Sequence, residues 1–189
     1  MVLSLLFGSL SLEEVLNLEI ACVKAFKESE IKMFHTMWQK GLNSPLTSSI
    51  GRLFDAVASF ANILHIQSYE GETGLQIEQY YDKTITQSFT YEIIEGKIKI
   101  SSMIKQMILE KDKKQICSKF INTIGQIILD ISSLHKDLPI VLGGGVFQNR
   151  ILLELLINKF KEQNREFYYN KNIPLNDGGI SVGQIYHLI

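Results

Sequence analysis

Apolar residues recur at helical spacing through most of this chain and shift to short uninterrupted runs only in its last third. Ser11-Leu12-Glu13-Glu14, a capping residue followed by acids in the first turn, opens a helix expected over residues 11–27. Residues 29–40 put Ile31, Phe34, Met37 and Trp38 on one face, and Gly41 ends the pattern. Thr47-Ser48-Ser49 caps a helix predicted to about residue 63, with Leu53, Phe54, Val57, Ala58 and Ala61 directed inward. Shorter helices follow Gly71-Glu72-Thr73 and Ser101-Ser102. The longest, over 113–135, carries Ile116, Phe120, Ile124, Ile127, Ile128 and Ile131 as its buried stripe. Residues 89–94 and 98–100 flank Glu95-Gly96-Lys97 and read as a two-stranded hairpin.

The last third alternates. Strands are expected at 139–142 and 167–169, each followed by a helix, at 147–163 and 180–188. A β-α-β-α run of this kind argues for an α/β layer with a parallel pair. The fold class is therefore α/β, helix-rich, with a small mixed sheet that includes the hairpin. No linker, repeat or low-complexity segment interrupts the chain, so residues 1–189 read as one unit. The apolar block at 1–10 has neither a basic region nor a cleavage site and is too short to span a bilayer. It reads as an element that packs inside a domain, as if the chain began in the middle of something.

Composition narrows the functional classes. With 19 basic and 20 acidic residues the net charge is -1, which gives no electrostatic footprint for nucleic acid or an anionic membrane. Cys22 and Cys117 lie far apart without a CxxC partner, as expected of buried thiols in a reducing, cytoplasmic setting. His35, His65, His135 and His187 show no metal-ligand spacing.

Candidate chemistry lies in two glycine-rich turns and one helix start. Gly143-Gly144-Gly145 follows an apolar run and precedes a helix. This arrangement suits a phosphate or nucleotide, and equally suits a plain strand-to-helix turn. Asn176-Asp177-Gly178-Gly179 opens the last helix, and Asp177 either caps it or offers a carboxylate to a divalent cation. Gly51 and Asp55 stand one turn apart near the start of their helix. A helical glycine costs on the order of 1 kcal/mol relative to alanine. Close packing by another backbone, or by a flat purine-ribose, would explain that cost.

Read together, four ordered blocks resemble the C-terminal part of the hydrogenase maturation carbamoyltransferase family HypF. They are Gly41-Leu42-Asn43-Ser44-Pro45-Leu46-Thr47-Ser48-Ser49-Ile50-Gly51-Arg52-Leu53-Phe54-Asp55-Ala56-Val57-Ala58, Ser68-Tyr69-Glu70-Gly71-Glu72, Gly143-Gly144-Gly145-Val146-Phe147-Gln148-Asn149-Arg150 and Pro174-Leu175-Asn176-Asp177-Gly178-Gly179. The resemblance implies one lobe of an actin-like ATPase (ASKHA) fold. It implies an enzyme that uses carbamoyl phosphate and ATP, by way of carbamoyl adenylate, to carbamoylate the C-terminal cysteine of the partner HypE. By the same resemblance, Gly143, Gly144 and Gly145 approach phosphate and Asn149 contacts the nucleotide. Thr47, Gly51 and Asp55 meet the nucleoside, and Asp177 completes a divalent-metal site whose histidines lie outside this chain. All these groups are expected to face one nucleotide.

Departures from the family matter as much. The chain has no histidine pair, no zinc-finger cysteines and no YrdC-like or acylphosphatase-like segment. It also reads Ile121-Asn122-Thr123 where the family often has His-Asn-Thr. It is expected to be inactive alone and to need the missing N-terminal part of HypF. The alternatives are a threonylcarbamoyl or O-carbamoyl transferase, or a non-catalytic nucleotide-binding or assembly module.

Overall fold

The computed structural model describes residues 1–188, and the helical periodicity becomes ten α-helices among them. Residues gather into two compact units, Met1–Phe120 and Ile121–Ile189. The first unit holds α1 (Val2–Phe7), α2 (Leu12–Leu16), α3 (Ala21–Lys24), α4 (Glu28–Gln39), α5 (Ile50–Phe60), α6 (Glu72–Gln79) and α7 (Ser101–Leu109). It also holds the hairpin β1 (Glu92–Ile94) and β2 (Lys97–Lys99), paired antiparallel with Ile93 opposite Ile98. Helix α8 (Lys113–Ser133) supplies residues to both units.

The apolar block at the N-terminus is α1, and Val2, Leu3, Leu6 and Phe7 are buried, as its composition requires. With Leu6, Val15, Val57, Ile77, Met103, Ile104 and Phe120 it forms the core of the first unit. Phe54 meets Phe120 edge to face at 4.8 Å. Each fully buried side chain of this size contributes about 1.5–3 kcal/mol, before conformational entropy is subtracted.

The second unit is a strand-helix-strand layer. Strands β3 (Ile140–Leu142) and β4 (Phe167–Tyr169) pair in parallel, with Val141 opposite Tyr168. Between them runs α9 (Arg150–Glu162), which buries Leu152, Leu156 and Phe160. Arg165, just before β4, donates to the carbonyls of Ser132, His135 and Leu138 at 3.3, 3.0 and 3.2 Å. Carbonyls left over at a helix C-terminus need donors, and the guanidinium supplies them to the end of α8. The last helix, α10 (Ile180–His187), follows a short 3₁₀ turn at Asp177–Gly179.

Three expectations change in detail. The helix expected over 11–27 is two helices, α2 and α3. Leu16, Leu18 and Ile20 are half-buried and alternate with exposed Asn17 and Glu19. That period of two belongs to extended chain, and it interrupts the helical run. The buried face of α8 is broader than its expected stripe: Cys117, Ile121, Thr123 and Leu129 are buried, whereas Ile131 is 37% exposed. The hairpin and the parallel pair form two separate two-stranded ladders.

Candidate functional site

In the second unit the glycine turn and the Asp177 turn are neighbours. The N–H of Gly144 donates to the Leu175 carbonyl at 2.8 Å. A Cβ built on Gly145 would lie 3.9 Å from the Cβ of Asn176. Gly144 has φ 105° and ψ 159°, a conformation essentially reserved for glycine. Its part is therefore conformational: its donor is already committed to Leu175. At Gly179 the requirement is closeness, since a Cβ there would stand 2.6 Å from the Pro174 carbonyl oxygen. Gly143, Gly144 and Gly145 are all exposed, so the turn presents bare backbone to solvent.

Behind this turn the helix begins later than the sequence suggests. Gly145–Gln148 is a 3₁₀ turn, and Asn149 then caps α9, its Oδ1 accepting from the Leu152 N–H at 2.9 Å. Asn149 is 7% exposed, so its side chain is built into the fold. The 3₁₀ turn that leads into α10 is likewise capped by an asparagine, while α10 itself starts from Gly179 without a side-chain cap. Asn176 Oδ1 accepts from the Gly178 N–H at 3.1 Å, leaving capping to Asn176 and not to Asp177. Asp177 opens the 3₁₀ turn and is exposed.

In the first unit, Thr47, Gly51 and Asp55 belong to the approach and first turns of α5. Thr47 Oγ1 accepts from the Ser49 N–H at 3.1 Å, and Ser49 Oγ accepts from the Arg52 N–H at 3.4 Å. Gly51 is the second residue of the helix and is exposed; a Cβ there would meet only Ser49 Oγ, at 3.6 Å. Helix packing therefore does not explain this glycine. Asp55 is more constrained. Its Oδ1 accepts from Thr73 Oγ1 at 2.9 Å and from Gln67 Nε2, while Oδ2 pairs with Arg52 at 3.3 Å. Gln67 and Thr73 were not legible as site residues. They bracket the Ser68-Glu72 block, whose turn is closed by Glu72 accepting from the Ser68 N–H at 2.6 Å.

Other candidate chemistry is quiet. Cys22 and Cys117 are buried, and loss of hydration pushes their thiols up to about 11 and about 12. His35 packs against Phe7 and Trp38, and His65 bonds to Ser59 and Asn62. Ile121 is fully buried, so where the family often has histidine this chain has a core residue. An apolar cavity of about 300 Å³ lies among Val2, Phe7, Phe34, Met37 and Trp38, and none of the residues discussed above as nucleotide or metal contacts lines it. For a divalent metal, Asp177 offers one exposed carboxylate, which suits a hard cation. Among the described residues no group of three His, Cys, Asp or Glu gathers around a common point. No described helix is long and apolar enough to cross a membrane.

A strand-turn-helix with bare glycine backbone, tied to a second glycine turn, is an α/β arrangement open to phosphate, and likeness to a solved carbamoyltransferase makes the fold that of an actin-like ATPase lobe. Residues 1–184 match the family described as the carbamoyltransferase, Kae1-like domain, second subdomain. The chain belongs to the HypF carbamoyltransferase family. It is 31% identical over 161 residues to carbamoyltransferase HypF of Synechocystis sp., covering 82% of this chain and 21% of that protein. It is 30% identical over 198 residues to probable carbamoyltransferase HypF of Methanocaldococcus jannaschii, covering 97% of this chain and 25% of that protein. A crystal structure of full-length HypF in the phosphate- and nucleotide-bound form superposes with a TM-score of 0.83 at 28% identity, over 97% of this chain and 25% of that one. The chain thus spans a fifth to a quarter of the relatives it matches.

Proposed function

We propose that this chain is the nucleotide-binding lobe of a HypF-type carbamoyltransferase, cytoplasmic, and active only with the rest of such a protein. The carrying observation is the Gly143–Gly145 turn locked to the Asn176–Asp177 turn through Gly144 and Leu175. A turn of this kind lets phosphate oxygens reach the backbone without meeting a side chain. The partial positive charge at the start of α9 favours the negative charge that grows on the phosphate as it departs. Asn149 holds the start of α9 in place beside the nucleotide. Within the first unit, taken by itself, Gly51 offers a flat approach to a purine-ribose and Asp55 an acceptor for a sugar hydroxyl, with Thr47 on the approach to the same helix.

The ligand in this reading is ATP or the carbamoyl adenylate derived from it with carbamoyl phosphate. The C-terminal cysteine thiolate of a HypE-type acceptor then attacks the carbamoyl carbon, forming the C–S bond as the C–O bond to phosphate breaks and AMP leaves, in hydrogenase maturation. Asp177 would hold a divalent metal together with ligands from outside the chain; when bound, that ion acts as a Lewis acid toward phosphate oxygens. The bound form of the full-length relative supports the nucleotide assignment.

The test is calorimetric titration of ATP into the chain, alone and with the first subdomain of a HypF relative supplied in trans, alongside an assay of carbamoyl phosphate and ATP turnover. Nucleotide binding with the added subdomain, and no turnover by the chain alone, is the expected result. Turnover by the chain alone would refute the dependence on a second lobe. An absence of binding in both preparations would favour an assembly module that has lost its nucleotide.

A further inference from the structure

Resting on the nucleoside role assigned to Asp55, we propose that Thr73 and Gln67 are positioning residues. They fix the Asp55 carboxylate so that a single oxygen, Oδ2, is presented to a hydroxyl of the nucleotide sugar. An ionised carboxylate oxygen has room for about two strong donors. Oδ1 of Asp55 already has two, Thr73 Oγ1 at 2.9 Å and Gln67 Nε2. Thr73 is 3% exposed, so its hydroxyl is held by the packing of α6 and cannot turn to water. Its one proton goes to Asp55, and its lone pair faces Gln67 Nε2 at 3.4 Å. The three groups form a closed set that fixes the rotamer of Asp55.

Oδ2 is different. Its partner is Arg52, at 3.3 Å, with a side chain 64% exposed. Ion pairs this open to solvent contribute little, so a ligand hydroxyl can displace the guanidinium without a large penalty. The arrangement also gives the Ser68-Tyr69-Glu70-Gly71-Glu72 block a task. Its turn delivers Thr73, the second residue of α6, to a carboxylate eighteen positions earlier in the chain. A carboxylate held in one rotamer before the ligand arrives binds without first paying for its ordering.

The experiment titrates ATP, 2′-deoxy-ATP and 3′-deoxy-ATP against the wild-type chain, Thr73→Val, Thr73→Ser and Gln67→Leu, each with the first subdomain of a HypF relative present. The wild type should prefer ATP to at least one deoxy analogue. In Thr73→Val, ATP binding should weaken about tenfold, the scale of one hydrogen bond to a charged group, while binding of that analogue is unchanged. Thr73→Ser should restore the preference. Gln67 is exposed, so Gln67→Leu tests the same point without touching the core, and should shift the preference in the same direction. Equal loss of ATP and deoxy analogues in the variants would make Thr73 a merely structural residue and overturn the inference. So would wild-type binding without any sugar preference, or variants that bind like wild type. A wild type that binds no nucleotide would instead sink the nucleotide assignment itself.

Discussion

Asn149 caps α9, and the role proposed for it toward the nucleotide can be separated from that cap. As a cap on α9, its replacement by alanine should lower stability by about 1 kcal/mol, seen as a fall in the urea midpoint. Asn149→Asp keeps the accepting oxygen and should restore the midpoint, yet it puts a negative charge beside phosphate, so ATP affinity should stay low. If Asn149→Asp recovers both stability and binding, Asn149 has no direct role toward the nucleotide. The two cysteines make a prediction about pH. Their thiols rise in the folded state from 9.0 to about 11 and about 12 because burial disfavours the thiolate. A raised acid pKa means the folded chain holds protons that the unfolded chain releases. The stability linked to these protons is complete below 9.0 and declines as pH climbs from there toward the folded values. Melting temperature should therefore drop through this window, and Cys22→Ala with Cys117→Ala should flatten the drop. Alkylation at neutral pH should wait on unfolding.

At the scale of elements, the glycines of the two candidate regions should behave differently on substitution by alanine. Gly144→Ala forces a side chain into a conformation that costs about 1–3 kcal/mol, and the turn between β3 and α9 should loosen accordingly. Gly51→Ala meets only an ordinary contact with Ser49 Oγ at the second helical position and should leave stability unchanged or raise it by up to about 1 kcal/mol. If Gly51 is there for the nucleoside, the same substitution should weaken ATP binding in an unimpaired fold. Thermal melts set beside titrations separate the two. The sequence resolved these elements unevenly. Long stripes such as that of α8 were plain, because six apolar positions at helical spacing average out local noise. The break between α2 and α3 was hidden, since the alternation at Leu16, Leu18 and Ile20 is only five residues long and is also compatible with a helix face.

At the scale of the whole molecule, the second unit exposes apolar surface. Along α10 and just beyond it, Ile180, Ile185, Tyr186 and Leu188 are 55%, 61%, 81% and 85% exposed. On the β3–β4 pair Val141 and Tyr168 are also exposed, although parallel strands are normally covered on both faces. The relatives are about four times longer than this chain: 82% of it matches 21% of one, and 97% of it matches 25% of the other. Alone, the chain should therefore self-associate in a concentration-dependent way, and a first subdomain supplied in trans should suppress that association. Sedimentation velocity reads both outcomes. Unchanged self-association in the presence of the subdomain would mean that this surface serves another purpose.

What the residues determined by themselves was the succession of helices, the hairpin, the parallel pair and the glycine turns. All but the parallel pair depend on neighbours within a few positions, through periodicity, capping and the conformational freedom of glycine, and the pair follows from the alternation of strand and helix. The four ordered blocks likewise carried the family, because their spacing survives along the chain. Only tertiary structure decided that Gly144 supplies conformation in place of a donor, and that Thr73 and Gln67 hold Asp55. Those outcomes turn on which hydrogen-bond partner arrives from twelve, eighteen or thirty-one residues away. Loop closure sets such meetings, and local pattern does not encode them.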